Sequence, residues 1–186
     1  ELEKIIKYTK KHFSDFSPAK EIPLDYTNYN KIPQQINKQV EKCDSMQSKL
    51  VIGFRSPYTI FNSENYYTAL VFDQIYGSGS ASKLFVNVRE KLGLCYSCAS
   101  NYNAFNGFIL AHCSISHYNR DKAEREILAQ LQNMRDGDIT DYEIKSAKQS
   151  IISSYSSISD SPDSMELYYF QRRVFGIDAS VEHSIE

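Results

Sequence analysis

Apolar residues recur along this chain in two rhythms, every three to four residues and every second residue, and the switches between them mark the elements. Leu2, Ile5, Ile6 and Phe13 share one face of an opening helix. No capping residue precedes Glu1, so the pattern is expected to continue from residues upstream. Residues 14 to 46 carry Pro18, Pro23 and Pro33 among many Asn, Gln and Tyr residues without sustained periodicity. Proline fixes its own dihedral and restricts the residue before it, which suits a linker crossing a surface. Alternation then begins: Leu50, Ile52 and Phe54 against Val51, Gly53 and Arg55 predict a strand over 49–55, stopped by Ser56-Pro57.

Helical spacing returns at Ser63 with Tyr67, Leu70, Val71 and Ile75, and Gly77 closes that helix. Leu84, Phe85, Val88 and Leu92 predict a second, short helix in which Gly93 offers a left-handed stop. Arg89 then falls at the edge of the buried stripe, and Tyr96 lands on the strand that follows. Residues 94–102 and 107–115 read as strands around a turn containing Asn106-Gly107, a dipeptide that tolerates positive φ. Ala123, Ile127, Leu128, Leu131 and Met134 define a helix ending at Gly137. Thr140 with Glu143 fits a capping box that opens the next helix, through Ile144, Ala147, Ile151, Ile152 and Tyr155. Ser161-Pro162 starts a last helix, in which Leu167, Tyr168, Phe170, Val174 and Phe175 are expected to bury one side before Gly176. The order predicts an α+β fold, a largely antiparallel sheet with helices packed on one face.

Composition narrows what such a layer does. The chain has 186 residues, 41% of them hydrophobic, enough for one substantial core. Its 21 basic and 23 acidic residues are well mixed, which gives no electrostatic case for a nucleic acid or an anionic membrane as partner. No apolar run approaches the roughly 20 residues of a spanning helix. Of the four cysteines, Cys95 and Cys98 lie three apart in a predicted strand, an offset that points two thiols to opposite faces. Together with Cys43 and Cys113 they read as reduced thiols in a cytoplasmic setting, a metal or redox role being the alternative for Cys95, Cys98, His112 and Cys113. His12, His112, His117 and His183 are isolated and read as surface or structural residues, none with the paired spacing of a metal site. Gly77-Ser78-Gly79-Ser80 follows a helix and lacks the Gly-Lys-Ser/Thr ending of a nucleotide loop, so it reads as turn and cap chemistry, with Ser80 or Ser82 as the cap. Among 14 tyrosines, Tyr66, Tyr67, Tyr76, Tyr102, Tyr168 and Tyr169 are candidates to line a peptide chamber.

One stretch carries more. Gly77-x-Gly79-x-x-Ser82-Lys83-Leu84-Phe85-x-x-Val88-Arg89-Glu90-Lys91-Leu92-Gly93-Leu94-x-Tyr96-Ser97 resembles the signature in the non-zinc half of insulinase and pitrilysin-like zinc peptidases, the inverzincins. The segment Gln47 to Arg55 resembles that half's opening strand, and Phe105-Asn106-Gly107-Phe108-Ile109 its next hairpin, so the likeness spans residues 47 to 176. It implies a division at 1–46, the end of a preceding family segment and a linker, and 47–186, a substrate-contacting α+β domain cut from a longer chain. It implies that two such halves close around an unfolded peptide, with zinc held by a His-x-x-Glu-His motif on the other half or on a partner subunit. This chain lacks that motif. No cofactor is expected within it, and hydrolysis by it alone is not expected.

The same resemblance assigns Arg89 and Tyr96 to substrate binding and transition-state stabilisation across the cleft. A fixed guanidinium can donate to a peptide carbonyl, and a phenol can donate to an oxygen that gains charge. The implied partners are a zinc-bearing domain or subunit of the family and a peptide. Two alternatives stand beside it: a structural or partner subunit with no part in hydrolysis, and a ligand-binding domain that shares the fold alone.

Overall fold

Three alternating segments build an antiparallel sheet whose order, β1–β3–β2, places the last strand in the centre. The structure is a computed structural model and describes residues 1–16, 33–61 and 63–185. The linker prolines Pro18 and Pro23 lie outside the described residues; residues 33–46 are exposed and form no helix or strand. Strand β1 (Ser48–Arg55) alternates as its pattern predicts, turning Leu50, Ile52 and Phe54 to the core and Lys49, Val51, Gly53 and Arg55 outward. Strands β2 (Cys95–Asn103) and β3 (Phe108–Ile115) form the hairpin, and β3 also pairs along the whole of β1. Gly107 takes φ 60° at their turn, where a side chain is disfavoured and where an added Cβ would stand 2.7 Å from the Ser56 carbonyl oxygen.

One face of the sheet is covered by helices. Ile109, Ala111, Cys113 and Ile115 of β3 pack there with Leu84 and Val88, with Ile75 and Tyr76, and with Ala123, Ile127 and Met134 of α3 (Arg120–Arg135). Helix α2 (Ser63–Asp73) runs on through a π-helical turn, Gln74–Ser78, that buries Tyr76 completely and sends its hydroxyl to donate to the Ile127 carbonyl at 3.0 Å. Helix α4 (Asp141–Ser156) opens with the predicted capping box of Thr140 and Glu143. Helix α5 (Pro162–Val174) opens with Pro162 in its first turn and the Ser161 hydroxyl accepting from the Ser164 amide, and a short α6 (Val181–Ile185) follows.

Two expected apolar faces find no cover among the described residues. Helix α1 (Leu2–Phe13) buries none of its residues. In α5 the buried side chains are Tyr168 and Arg172, while Leu167, Phe170 and Val174, expected inside, stay exposed. Tyr168 is drawn inward because its hydroxyl donates to the Ser180 carbonyl at 3.0 Å and meets the Ser184 hydroxyl at 2.8 Å. The Arg172 guanidinium lies over that ring, its Cζ 3.5 Å from the centroid. These two fix the rotation of the helix and turn the Leu167, Phe170 and Val174 stripe outward.

Candidate functional site

The corner between the signature helix and β2 is where Arg89 and Tyr96 meet the surface. Leu84–Lys91 is π-helical rather than α-helical, and its end shows the wider turn: the Leu92 amide donates to the Asn87 carbonyl, five residues back, at 3.3 Å. Leu84 and Val88 are fully buried, but the widened turn rotates Leu92 off the stripe, leaving it 44% exposed where the helical spacing expected it inside. Gly93 takes φ 57° and donates to the Arg89 carbonyl at 3.1 Å, the left-handed stop its position predicts. Leu94 then enters the core and is held by its amide to Val88 and its carbonyl to the Asn119 side chain. Both sides of the corner are therefore anchored on the backbone.

Arg89 is held in place by its neighbours. Its guanidinium sits over the Phe85 ring at 4.6 Å, one helical turn away, and its Nε is 3.6 Å from Oε1 of Glu90. The side chain remains 38% exposed, so its donors face outward from a fixed stem. Ser82, rather than Ser80, supplies the cap, accepting from the Phe85 amide at 3.4 Å.

Tyr96 owes its position to a β-bulge. Cys95 lies opposite Ile115 and Ser97 opposite Ser114, so Tyr96 is one residue more than the partner strand can match. Without the extra residue, alternation would carry Tyr96 to the core face with Cys98 and Ser100. With it, Tyr96 is 77% exposed. Cys95 changes sides as well and packs against the core beside Cys98, which corrects the expectation that the two thiols face opposite ways. Burial pushes the Cys95 thiol up.

The remaining candidates resolve differently. Tyr66, Tyr76 and Tyr168 are buried and hydrogen-bonded inside, so they do not line a chamber. Tyr102 donates to the Tyr58 carbonyl at 2.7 Å, while Tyr169 is exposed. His12, His112, His117 and His183 are exposed, and His117 is bonded through both ring nitrogens, to the Ser48 hydroxyl and the Ser45 carbonyl. Among the described residues no three His, Cys, Asp or Glu side chains are grouped to hold a metal ion. Among them, too, no helix is long and apolar enough to cross a membrane.

The periodicities missed two polar groups that steady the corner. Lys83, inside the signature, is buried with its Nζ 3.0 Å from Glu143 Oε1 and 3.6 Å from Asp138 Oδ2. Asp73 is buried at the end of α2, where its carboxylate accepts from the Ser100 hydroxyl at 2.5 Å and from the Tyr102 amide at 3.1 Å. A charged residue inside an apolar-spaced run is the one sequence signal that pointed to either.

An antiparallel sheet backed by helices, with an arginine and a tyrosine presented at a helix-to-strand corner, defines an α+β unit whose sequence carries no His-x-x-Glu-His motif. The chain belongs to the peptidase M16 family, and residues 1–151 match the profile described as "Peptidase M16 inactive domain". It is 30% identical over 148 residues to the "Probable inactive metalloprotease YmfF" of Bacillus subtilis (strain 168), covering 80% of this chain and 34% of that one. An "Uncharacterized zinc protease" of Rickettsia bellii (strain RML369-C) is 31% identical over 133 residues, 70% of this chain and 30% of its own. The chain thus spans about a third of the length of the curated relatives it matches.

Among solved structures, a conserved protein from Enterococcus faecalis V583 superposes with a TM-score of 0.76 at 30% identity, over 83% of this chain and 36% of that one. A protease from Helicobacter pylori shares the fold, with a TM-score of 0.78 at 19% identity over 100% of this chain and 48% of its own.

Proposed function

We propose that this domain presents Arg89 and Tyr96 to a peptide held between it and a zinc-bearing domain or subunit of the same family. The observation that supports this most is the bulge, which spends a strand register to expose the Tyr96 phenol on the strand that follows the helix carrying a half-exposed, ring-anchored Arg89. Arg89 would donate to a substrate backbone carbonyl and fix the peptide's register. The Tyr96 hydroxyl would donate to the carbonyl oxygen as it gains charge, a contact worth more as the reaction proceeds than in the bound ground state. Neither group cleaves a peptide unaided, and the metal with its ligands belongs to the other half. The cytoplasm fits the reduced thiols.

A second reading makes the domain a scaffold. It is favoured by the Bacillus subtilis relative, whose name describes an inactive metalloprotease. The two readings separate in the complete protein, or in this chain combined with its zinc-bearing partner, assayed for peptide cleavage with Arg89→Ala and Tyr96→Phe. The contact reading expects each variant to lose roughly 10²–10³-fold in turnover, the range for one lost transition-state donor. Both side chains are exposed enough that thermal stability should not change. Cleavage unaltered in both variants would leave the scaffold reading.

A further inference from the structure

Three of the four cysteines share the core face of the hairpin, and the bulge at Tyr96 is the reason. Cys98 lies directly opposite Cys113 across β2 and β3, and the two are 4% and 2% exposed. Cys95, turned inward by the bulge, packs beside them and is the half-buried member. Cys98 and Cys113 are cross-strand partners in the ladder, and both belong to the cluster against which Cys95 packs. All three are free thiols in this structure.

Strand geometry decides which pair can join. Residues directly opposite in an antiparallel ladder have Cα atoms about 4.5–5.5 Å apart, inside the roughly 4.4–6.8 Å that a disulfide spans. Cys95 and Cys98, three residues apart along one strand, stand about 10 Å apart by the ordinary strand rise, outside that span. Cys95 lies opposite Ile115 and so is diagonal to Cys113, a separation of roughly 7–8 Å that is again outside the span, which leaves Cys98 and Cys113 as the pair that can close without moving the backbone.

We infer that Cys98 and Cys113 form a thiol-oxidation site that closes a cross-strand disulfide when the domain meets a peroxide. In the first step the Cys113 sulfur attacks one peroxide oxygen, the O–O bond breaks, and a sulfenic acid and one water are produced. The Cys98 sulfur then attacks the Cys113 sulfur, the S–O bond breaks, and the hydroxyl leaves with the Cys98 proton as a second water. Two thiols lose two electrons and one hydrogen peroxide becomes two waters. The bond ties the strand that carries Tyr96 to the central strand two residues past the bulge, so oxidation would stiffen the platform of the corner without displacing it.

The test uses the full protein that carries this domain, treated with hydrogen peroxide, alkylated in denaturant and mapped by mass spectrometry without reduction. Wild type should lose two hydrogens in mass and yield a linked peptide pair containing Cys98 and Cys113, reversed by dithiothreitol. The pair should persist in Cys95→Ala and vanish in Cys98→Ala and Cys113→Ala. Alanine is a small apolar replacement, and circular dichroism would confirm that each variant folds. The oxidised protein should also melt at a higher temperature than the reduced one. Oxygen addition at Cys95 alone, with Cys98 and Cys113 both still alkylated, would overturn the inference. So would a bridge through Cys95. None of these readouts depends on peptide cleavage, so they leave the Arg89 and Tyr96 reading to its own assay.

Discussion

The ammonium of Lys83 stands 3.0 Å from a carboxylate oxygen of Glu143, joining the start of the signature helix to the first turn of α4. Glu143 serves twice, since its other oxygen accepts from the Thr140 amide at 2.8 Å. The lysine side chain is 7% exposed and the glutamate 18%, so the pair is largely desolvated.

The two ends of that pair should not be equivalent. Glu143→Gln keeps an oxygen for the Thr140 amide but strips the buried ammonium of its main counter-charge, leaving the more distant Asp138. Its expected cost is about 3–5 kcal/mol. Lys83→Met keeps the apolar stem and leaves Glu143 with its Thr140 contacts, at an expected cost of roughly 1–2 kcal/mol. Urea unfolding of both variants measures this, and a larger loss for Lys83→Met would show that the ammonium is better solvated than its burial implies.

Two carboxyls should pull the pH profile in opposite directions. Burial pushes Asp73 above its ordinary value, although the Ser100 hydroxyl and Tyr102 amide oppose it. A raised folded value means stability that is complete below the unfolded value, near pH 4, and is lost as pH rises through the folded one. For Glu143 burial acts upward too, but the Thr140 amide and Lys83 outweigh it and hold the group low. Its contribution is present above the unfolded value and lost as pH falls through the folded one. Denaturant midpoints taken between pH 3 and pH 7 should therefore show Asp73→Asn removing a decline with rising pH in the upper part of the range. Glu143→Gln should remove a loss in the lower part. Profiles parallel to wild type in both variants would contradict these assignments.

Gly77 is required for contact rather than for backbone freedom. A Cβ there would meet the Ser100 amide nitrogen and hydroxyl, each at 2.5 Å. Gly77→Ala should cost about 1–3 kcal/mol through overpacking. Adding Ser100→Ala should not restore it, because the obstructing backbone nitrogen remains. Full recovery in the double variant would mean that the side chain alone was the obstacle.

Much of this fold could be read from local signals, because those signals act within a few residues. Gly93, Gly107, Gly137 and Gly176 each take positive φ where an apolar rhythm breaks off. The Thr140 and Glu143 box and the Ser161-Pro162 start are equally local. What escaped depends on a partner. The bulge at Tyr96 exists only as a mismatch in count against β3, which one strand's sequence does not contain. The rotation of α5 follows from Tyr168 finding Ser180 and Ser184, and Leu92 left the core because the turn beneath it widened. The candidate pair itself came from residue types within a familiar run; the exposure of Tyr96 came from the ladder.

The position of β1 has a practical consequence for handling the protein. Among the described residues β1 is paired on one side alone, so along its eight residues the other row of amides and carbonyls is a template for a second chain. Its outward positions run Lys49, Val51, Gly53 and Arg55, and a lysine such as Lys49 on an edge discourages pairing with a second chain. Salt screens that charge. Concentrated and salted solutions are therefore where this strand becomes the first place for the domain to stick to itself.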